Sequence, residues 1–310
     1  MIKILITGGA GFVGSSLADK LLEQGKYFVV SVDNLLTGDI RKVSDHPNSK
    51  FIKCDVNNYN DIGAIMTSYQ FDYVFHYAAV VGVKRTIENP IMVLDDIEGI
   101  KNVLSLCKNT GVKRVFFSSS SEVYGEPVEL PQHEETTPLN SRLPYAVVKN
   151  VGESFCRSYQ KEFGLDYTIF RFFNTYGPKQ STDFVISKFL KSALNHQPIT
   201  IYGKGSQTRT FCYIDDNTNC ILRILEDNLM MNDVINIGND ENYTILQLAE
   251  TIIHITNSKS RIEFLPPLKE GDMTRRQPDS TKAKKILKRD FITLENGLRN
   301  ILHSEMLFLK

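Results

Sequence analysis

The first 120 residues alternate short apolar runs with amphipathic stretches, and this alternation restricts the fold more than any other feature of the chain. The apolar runs are IKILIT, YFVVSV, KFIKC, FDYVFHYAA and VKRVFFSSS. Helical patterns follow the first run, over about residues 13–24, and the fourth run, over about residues 90–109. Strands that alternate with helices form parallel sheets through right-handed crossovers. The pattern therefore predicts an α/β fold with a doubly wound parallel sheet.

The second half of the chain has a looser pattern. A long helix is predicted from about residue 145 to 163, followed by the strand LDYTIFRFF. Beyond Gly177 the predicted elements are shorter, and the last is a helix over about residues 294–304. We therefore predict a first domain of residues 1–175, which includes the serine run at residues 118–121, Tyr145 and Lys149. Residues 176–310 would form mostly a smaller α/β substrate lobe, with some segments returning to the first domain.

Composition excludes several classes of partner. Lys and Arg together number 36, as do Asp and Glu, so the formal net charge is zero and gives no reason to expect a nucleic-acid or membrane partner. The N-terminal stretch MIKILITGG is too short for a signal peptide. The five cysteines form no CxxC and most lie in apolar stretches. We expect buried free thiols, a cytosolic protein, no metal site and a small-molecule partner.

A glycine-rich segment lies between the first strand and the first helix. In ITGGAGFVG the glycines have the GxGxxG spacing. Such glycines permit a tight turn, let the backbone approach a pyrophosphate and place the anion at the helix N-terminus. The second strand ends at Asp33, where a carboxylate accepts hydrogen bonds from ribose hydroxyls and repels a 2′-phosphate. Asp55 and Val56 follow the third strand, near the predicted adenine position. The pattern predicts a Rossmann-type domain that binds NAD rather than NADP.

A run of four serines ends the fifth predicted strand, in SSSSEVYG, and YAVVK places Tyr145 and Lys149 one helical turn apart. The unperturbed pKa of tyrosine, near 10, is too high for an efficient base at neutral pH, and we expect the charge of Lys149 to lower it. A strand-end serine could bond to the same substrate oxygen. These residues predict a proton-transfer site, although the serines could also be only the polar end of a strand.

Together with HYAA and RFFNTYGP, these segments resemble the extended short-chain dehydrogenase/reductase family of nucleotide-sugar epimerases, dehydratases and decarboxylases. The resemblance covers nearly the whole chain, because ITIYGKGSQTRTFCYIDD, NIGN and RRQPDSTKAKKIL are also similar to the family. It implies a bound NAD that takes a hydride from sugar C4 while Tyr145 takes the hydroxyl proton. It also implies a homodimer formed by the helices near residues 90–109 and 145–163. Val151, Phe155 and Tyr159 give the second of these helices an apolar stripe, which packing within the chain could also explain.

The patterns and the resemblance give three sets of candidate site residues. The catalytic set is Ser120, Tyr145, Lys149 and Glu122. The cofactor-binding set is Gly8, Gly11, Phe12, Val13, Gly14, Asp33, Asn34, Asp55, Val56, Ala78, Ala79, Ser118, Tyr145 and Lys149. The substrate-binding set is Asn174, Arg209, Arg142 and Arg276. The alternatives are a turn cap for Asn174, a solvated strand position for Arg209 and a surface charge for Arg142. Where many relatives carry asparagine, in DDIEG, this chain carries Asp96.

The choice of reaction depends on a few of these residues. Family dehydratases usually carry Asp-Glu where this chain has Ser121-Glu122, so dehydration is disfavoured. Ser-Glu, Arg142 and Arg276 match the UDP-glucuronate decarboxylase branch, whereas AAVVGVKR and SSSSEVYG look more like 4-epimerases. The sequence narrowly favours a UDP-sugar 4-epimerase, with a UDP-glucuronate decarboxylase as the alternative. A 4,6-dehydratase and a dehydrogenase or reductase with exchangeable cofactor are further alternatives.

Overall fold

A computed structural model describes residues 1–267 and 275–304. The strands in these residues are β1 (Ile2–Thr7), β2 (Tyr27–Asp33), β3 (Ser49–Lys53), β4 (Tyr73–His76), β5 (Arg114–Ser120), β6 (Asp166–Phe172), β7 (Thr175–Tyr176), β8 (Ile199–Tyr202), β9 (Thr208–Thr210), β10 (Cys212–Tyr213), β11 (Asp233–Ile237), β12 (Asn242–Thr244) and β13 (Ile262–Leu265). The helices are α1 (Phe12–Leu22), α2 (Tyr59–Tyr69), α3 (Val83–Glu88), α4 (Pro90–Leu94), α5 (Asp96–Thr110), α6 (Pro144–Phe163), α7 (Val185–Leu194), α8 (Ile214–Glu226), α9 (Ile245–Ile255), α10 (Thr281–Leu287) and α11 (Leu294–Leu302). Ile40–Lys42 and Ser121–Tyr124 form 3₁₀ turns.

Seven strands form one parallel sheet in the order β11-β6-β5-β4-β1-β2-β3. The predicted doubly wound parallel sheet is therefore confirmed. The strand order reverses between β1 and β4, and ligands of such sheets bind at the carboxyl ends of the strands beside this switch point. The end of β1 leads into the glycine segment, and the end of β5 carries the serines.

Apolar side chains cover both faces of the sheet. Leu5, Val74 and Phe117 belong to the core on one face, while Ile4 and Phe75 belong to the core on the other. A third core cluster lies among the later elements, and its buried members include Phe189, Ile201, Leu248 and Leu298. Because successive side chains of a buried strand point to opposite faces, continuous apolar runs such as those of β1 and β4 fill two cores at once.

The chain returns to the large sheet after leaving it. β11 pairs with β6, and α8 packs on α1. The short strands of the later region form three two-stranded sheets outside the large one. β11 therefore lies in the large sheet although it follows the predicted boundary in sequence. The division into two domains, with its boundary at residue 175, stays a prediction.

Several local predictions can be compared with the structure. The helix predicted over residues 90–109 is divided at Asp95 into α4 and α5, and α2 and β7 were not predicted. The five cysteines are buried free thiols, as predicted. None of the helices in the described residues has the length and hydropathy needed to cross a membrane. Across the same residues, no group of three or more His, Cys, Asp or Glu side chains is placed to hold a metal ion.

Candidate active site

The glycine segment after β1 makes close backbone contacts that larger residues would prevent. Gly8 has a φ of +69°, and a Cβ there would lie 2.8 Å from the backbone nitrogen of Ala78. A Cβ at Gly14 would lie 2.4 Å from the carbonyl oxygen of Gly8. The first contact brings together two predicted cofactor-binding segments, which follow β1 and β4. Glycine is therefore required at these positions by the shape of the turn itself.

The N-terminus of α1 has the features of an anion site. Its N-cap residue, Gly11, has no side chain to bond to the free N–H groups, and the first turn contains no acidic residue. The side chains of Phe12 and Val13 pack against the third core cluster. These two residues would therefore contact a cofactor through their backbone N–H groups. Such an N-terminus suits a pyrophosphate, whose charge is stabilised by the helix dipole.

Asp33 connects the end of β2 to the glycine segment. Its Oδ2 accepts a hydrogen bond from the N–H of Ala10 at 3.1 Å, and its Oδ1 accepts one from the N–H of Leu35 at 2.8 Å. Burial raises the pKa of Asp33, although these two N–H groups partly oppose that effect. Each carboxylate oxygen has a second lone pair that could accept a bond from a ribose hydroxyl. The position of Asp33 fits the predicted adenosine end of a dinucleotide.

The remaining cofactor candidates lie at the ends of neighbouring strands. Asn34 donates to Asp55 at 3.2 Å, so the residues after β2 and β3 lie side by side. The carbonyl of Val56 accepts from Asn102 at 3.0 Å, and its side chain is in the core. The segment after β4, which includes Ala78 and Ala79, is held by the Thr7 hydroxyl, which accepts from the N–H of Ala78 at 3.1 Å. Together with the glycine turn, these contacts form a cradle that fits a dinucleotide.

The predicted catalytic residues of β5 and α6 lie side by side. Pro144 begins α6, a position that suits proline, and places Tyr145 in the first turn. The buried Lys149 ammonium donates to the Ser118 hydroxyl at 3.2 Å and lies 5.6 Å from the centroid of the Tyr145 ring. The Ser120 hydroxyl accepts from the N–H of Glu122 at 3.2 Å and lies near enough to Tyr145 to lower the pKa of its phenol.

The charge environment of Tyr145 differs from the expectation. Burial raises its pKa above the usual value, and the Glu122 carboxylate raises it further. The Ser120 hydrogen bond and the Arg276 charge lower it by less. Lys149, which was expected to lower this pKa, is not among the groups that do so, and its ammonium donates to Ser118. Burial lowers the pKa of Lys149 to about 8, against a smaller opposite effect of Asp96.

Glu122 and Arg276 form an ion pair beside these residues. The Nη2 of Arg276 donates to Oε1 of Glu122 at 2.7 Å, although 154 positions separate them in sequence. Arg276 is buried and Glu122 is partly buried. The segment that carries Arg276 is fixed by Gln132, whose backbone bonds to the backbones of Gln277, at 2.7 Å, and Asp279, at 2.8 Å. The structure therefore brings together two candidates that the sequence analysis had selected separately.

The other substrate candidates have three different environments. Asn174 has a φ of +35°, in the left-handed region that asparagine tolerates, and its Nδ2 donates to the carbonyl of Thr210 at 2.9 Å. Arg209 is buried and donates to the carbonyl of Thr208 at 2.8 Å, unlike a solvated strand residue. Arg142 is exposed and, within residues 1–267 and 275–304, makes no hydrogen bond or ion pair. For Arg142 this environment agrees with a surface charge.

Comparison with known proteins adds to this geometry. Residues 4–238 match the model of the NAD dependent epimerase/dehydratase family. The chain belongs to that family. It is 37% identical to UDP-glucuronic acid decarboxylase 1 of Danio rerio, over 97% of this chain and 72% of that protein. NAD is therefore its cofactor, and the chain is an enzyme of the nucleotide-sugar epimerase, decarboxylase and dehydratase group.

Two solved structures of this family are similar over almost their whole length. The UDP-glucose 4-epimerase of Thermotoga maritima, solved with UDP-glucose, has a TM-score of 0.91 and 33% identity, and the match covers 97% of both chains. The UDP-glucuronic acid 4-epimerase of Bacillus cereus, solved with UDP-glucuronic acid and NAD, has a TM-score of 0.87 and 31% identity. That match covers 97% of this chain and 99% of the other. The family and its NAD dependence are thus shown, while the relatives differ in reaction.

A buried polar network beneath the predicted catalytic residues was not found by sequence reasoning. Glu153, on α6, accepts from the Ser119 hydroxyl at 2.7 Å and from two nitrogens of Arg171 at 2.8 and 2.7 Å. Arg171 also donates to the Tyr124 hydroxyl at 2.9 Å. Ser119 and Arg171 are opposite each other in the β5–β6 register. Two features of the sequence could have indicated this network. One is the arginine, Arg171, inside an apolar strand, and the other is the glutamate, Glu153, one helical turn after Lys149.

Proposed function

We propose that this enzyme decarboxylates a UDP-hexuronate, such as UDP-glucuronate, through a transient 4-keto sugar. The observation that carries this proposal is the Glu122–Arg276 ion pair beside Tyr145. A 4-epimerase needs only a base at the C4 hydroxyl and space for the keto sugar to rotate. An arginine with a carboxylate partner next to that base suits a substrate that carries a carboxylate of its own. This pair moves the proposal from the epimerase, which the sequence narrowly favoured, to the decarboxylase.

The first step is oxidation at C4. Ser120 and Tyr145 bond to the C4 hydroxyl, and Tyr145 accepts its proton. When bound, NAD would supply the hydride acceptor for the oxidation of C4 and the hydride for its later reduction. Lys149 supplies a positive charge within 5.6 Å of the Tyr145 ring centroid. Asn174 and Arg209 contact the diphosphate, for which the planar guanidinium of Arg209 is suited.

The second step removes the carboxylate. Once C4 is a ketone, the sugar is a β-keto acid, with the ketone at C4 and the carboxylate at C6. The C5–C6 bond then breaks and carbon dioxide leaves. The electron pair of that bond forms the C4–C5 enolate, whose negative charge lies on the C4 oxygen. The C4 oxygen then carries negative charge, which a hydrogen bond from Ser120 or Tyr145 stabilises. Arg276 orients the carboxylate while it is still attached, and Glu122 holds Arg276 in place at 2.7 Å. Protonation of C5 and reduction of C4 give the UDP-pentose.

A UDP-sugar 4-epimerase is the second candidate. The observation in its favour is the similarity to the two epimerase structures, with TM-scores of 0.91 and 0.87. It would use Ser120, Tyr145 and Lys149 in the same way, but it would give Glu122 and Arg276 no part in the chemistry. A 4,6-dehydratase is less well supported, because the hydroxyl of Ser121 is a poor proton donor. A dehydrogenase with exchangeable cofactor would need added NAD for turnover, and a reductase would need added NADH.

Removing the arginine charge tests this proposal. Arg276→Gln is expected to lower the rate of carbon dioxide release from UDP-glucuronate by about 10²-fold, because the carboxylate loses its charged partner. The matched control is Arg275→Gln, which removes the same charge from an exposed neighbour and should change the rate less than threefold. NAD content, measured by absorbance after denaturation, should be equal in all three proteins. An Arg276→Gln variant as fast as the wild type would exclude the role given to this pair.

We also propose that the enzyme is a homodimer that associates through α4 and α6. These helices pack on each other, and Ile91 on α4 is 70% exposed. Val151 and Phe155 line a shallow groove on the outer face of α6. Phe155 and Tyr159 also contact the core of their own chain, so the predicted stripe is only partly available to a partner.

The dimer can be tested by light scattering at micromolar concentration. The wild type is expected to have twice the 35.2 kDa mass of one chain. Ile91→Glu should shift the mass towards the monomer, because it places a charge on the apolar surface of α4. Val128→Glu, at an exposed apolar residue of another segment, is the control and should remain dimeric. A monomeric wild type would contradict the proposal.

A further inference from the structure

The buried network of Glu153 and Arg171 extends to β11, the edge strand of the large sheet. Nη1 of Arg171 donates to the Tyr124 hydroxyl at 2.9 Å, and that hydroxyl donates to Oδ1 of Asn236, on β11, at 2.7 Å. Nδ2 of Asn236 donates in turn to the backbone carbonyl of Gln132 at 2.9 Å. All five of these residues are buried. A continuous chain of hydrogen bonds therefore runs from α6 to the loop that contains Gln132.

The Glu122–Arg276 pair joins two segments, and Tyr124 belongs to the first of them. Tyr124 ends the 3₁₀ turn that also contains Glu122, and Val123 alone separates the two residues. The Tyr124 ring is buried, and its hydroxyl both accepts a hydrogen bond and donates one. Because the ring is fixed at both ends, it restricts where the backbone of the turn can lie.

Gln132 holds the second segment, residues 276–280, which we call the arginine segment. The N–H of Gln132 donates to the carbonyl of Gln277 at 2.7 Å, and its carbonyl accepts from the N–H of Asp279 at 2.8 Å. The same carbonyl accepts from the Asn236 amide. The Asn236 side chain therefore lies between the two segments, since its oxygen is bonded to the first and its nitrogen to the loop that holds the second.

We infer that Tyr124 and Asn236 are positioning residues that set where the Arg276 guanidinium lies in the site. The inference rests on the proposed function, in which Arg276 orients the substrate carboxylate. Neither positioning residue is assigned a contact with the substrate. A buried network of this kind favours one arrangement, because any other leaves a buried polar atom without its hydrogen-bond partner.

Other contacts keep the arginine segment attached to the protein. The Ser280 hydroxyl donates to the carbonyl of Gly238 at 2.6 Å, and Nε2 of Gln277 donates to the carbonyl of Asp240 at 3.1 Å. Breaking the network should therefore displace the arginine segment without detaching it, and the fold should be retained.

Two variants break the network at neighbouring points. Tyr124→Phe removes only the hydroxyl. Asn236→Leu keeps a side chain of similar size, and it leaves the Tyr124 hydroxyl bonded to Arg171 and the Gln132 carbonyl bonded to Asp279. Each variant should lower kcat/KM for carbon dioxide release from UDP-glucuronate by about tenfold.

The matched control is Tyr27→Phe, which removes a phenol hydroxyl from another buried ring. Tyr27 begins β2, at the end of the sheet opposite the site, and its hydroxyl donates to Glu226 at 3.3 Å. Its kcat/KM should stay within about twofold of wild type. Circular dichroism and NAD content should be the same in all of these proteins.

A double-mutant cycle separates positioning from a general structural effect. In the Arg276→Gln background, Tyr124→Phe should change kcat/KM by less than about twofold, because the group that it positions is already absent. A general structural effect would instead lower kcat/KM by the same factor in both backgrounds. The same cycle is carried out with Asn236→Leu.

Amide hydrogen exchange tests the positioning without turnover. Exchange in the arginine segment, followed by mass spectrometry, should be about tenfold faster in Tyr124→Phe and Asn236→Leu than in wild type, and unchanged in Tyr27→Phe. Unchanged exchange in both network variants, or equal factors in both backgrounds of the cycle, would overturn the inference. If Arg276→Gln were as fast as wild type, the proposed function would fail instead, and the exchange rates would still decide whether the network holds the arginine segment.

Discussion

Tyr145→Phe is expected to lower turnover by about 10²–10⁴-fold while leaving the fold and the bound NAD unchanged. The substitution removes only the phenol hydroxyl, to which we assign the exchange of the substrate proton. The ring would remain against Lys149, whose ammonium lies 5.6 Å from its centroid. Activity is measured on the accepted UDP-sugar at saturating concentration, so that the loss appears in kcat.

The matched control is Tyr159→Phe, which removes a phenol hydroxyl from the same helix farther from the site. It should retain activity within about twofold, because Tyr159 lies 14 residues after Tyr145 on α6 and has no role in the proposed reaction. Circular dichroism and NAD content should be the same in both variants. If Tyr145→Phe kept a third or more of the wild-type rate, Tyr145 could not be the base.

Glu153→Gln is expected to lower the free energy of unfolding by about 3–5 kcal/mol, because it leaves buried charge without a partner. Glu153 is completely buried, and its two carboxylate oxygens accept from Ser119, Arg157 and Arg171. Glutamine keeps the size of the side chain but replaces one acceptor oxygen by a donor that faces the guanidinium of Arg171. Denaturant unfolding of wild type and variant, at equal NAD concentration, measures the difference.

The control for this variant is Glu162→Gln, at an exposed position of the same helix, where a change below about 0.5 kcal/mol is expected. The pH dependence gives a further check. Burial raises the pKa of Glu153, but the hydrogen bonds and charge of Arg171 outweigh burial, so that the folded-state pKa is below the usual value. The stabilisation is therefore present at neutral pH and is lost as pH falls from about 4 through the folded-state pKa. Equal stability of Glu153→Gln and wild type at pH 7 would contradict this account.

The sequence predicted the parts of the site that depend on local pattern. Gly8 directly follows β1, and Gly14 lies in the first turn of α1. The shape of the turn follows from this fixed spacing of glycines after a strand. Tyr145 and Lys149 share one helix, so their proximity follows from helical geometry. Asp33 ends a strand beside the glycine turn, and the parallel order of the sheet places it there.

Contacts between distant segments could not be predicted in the same way. The Glu122–Arg276 pair requires the segment at Arg276 to be fixed by the backbone of Gln132, and no local pattern contains that information. The raised pKa of Tyr145 depends on burial and on Glu122, which only the packed structure supplies. For Arg142, a match in sequence did not predict the environment. Its position matches a family arginine, but its side chain is exposed.

An isotope label shows whether the enzyme removes the C6 carboxylate of a UDP-hexuronate, as we propose. Purified enzyme, without added NAD, is incubated with UDP-glucuronate labelled with ¹³C at C6 and followed by NMR. We predict that the label leaves the sugar and appears as carbon dioxide and bicarbonate, while a UDP-pentose accumulates. Retention of the label in a C4-inverted UDP-hexuronate would contradict the claim and identify the enzyme as a 4-epimerase.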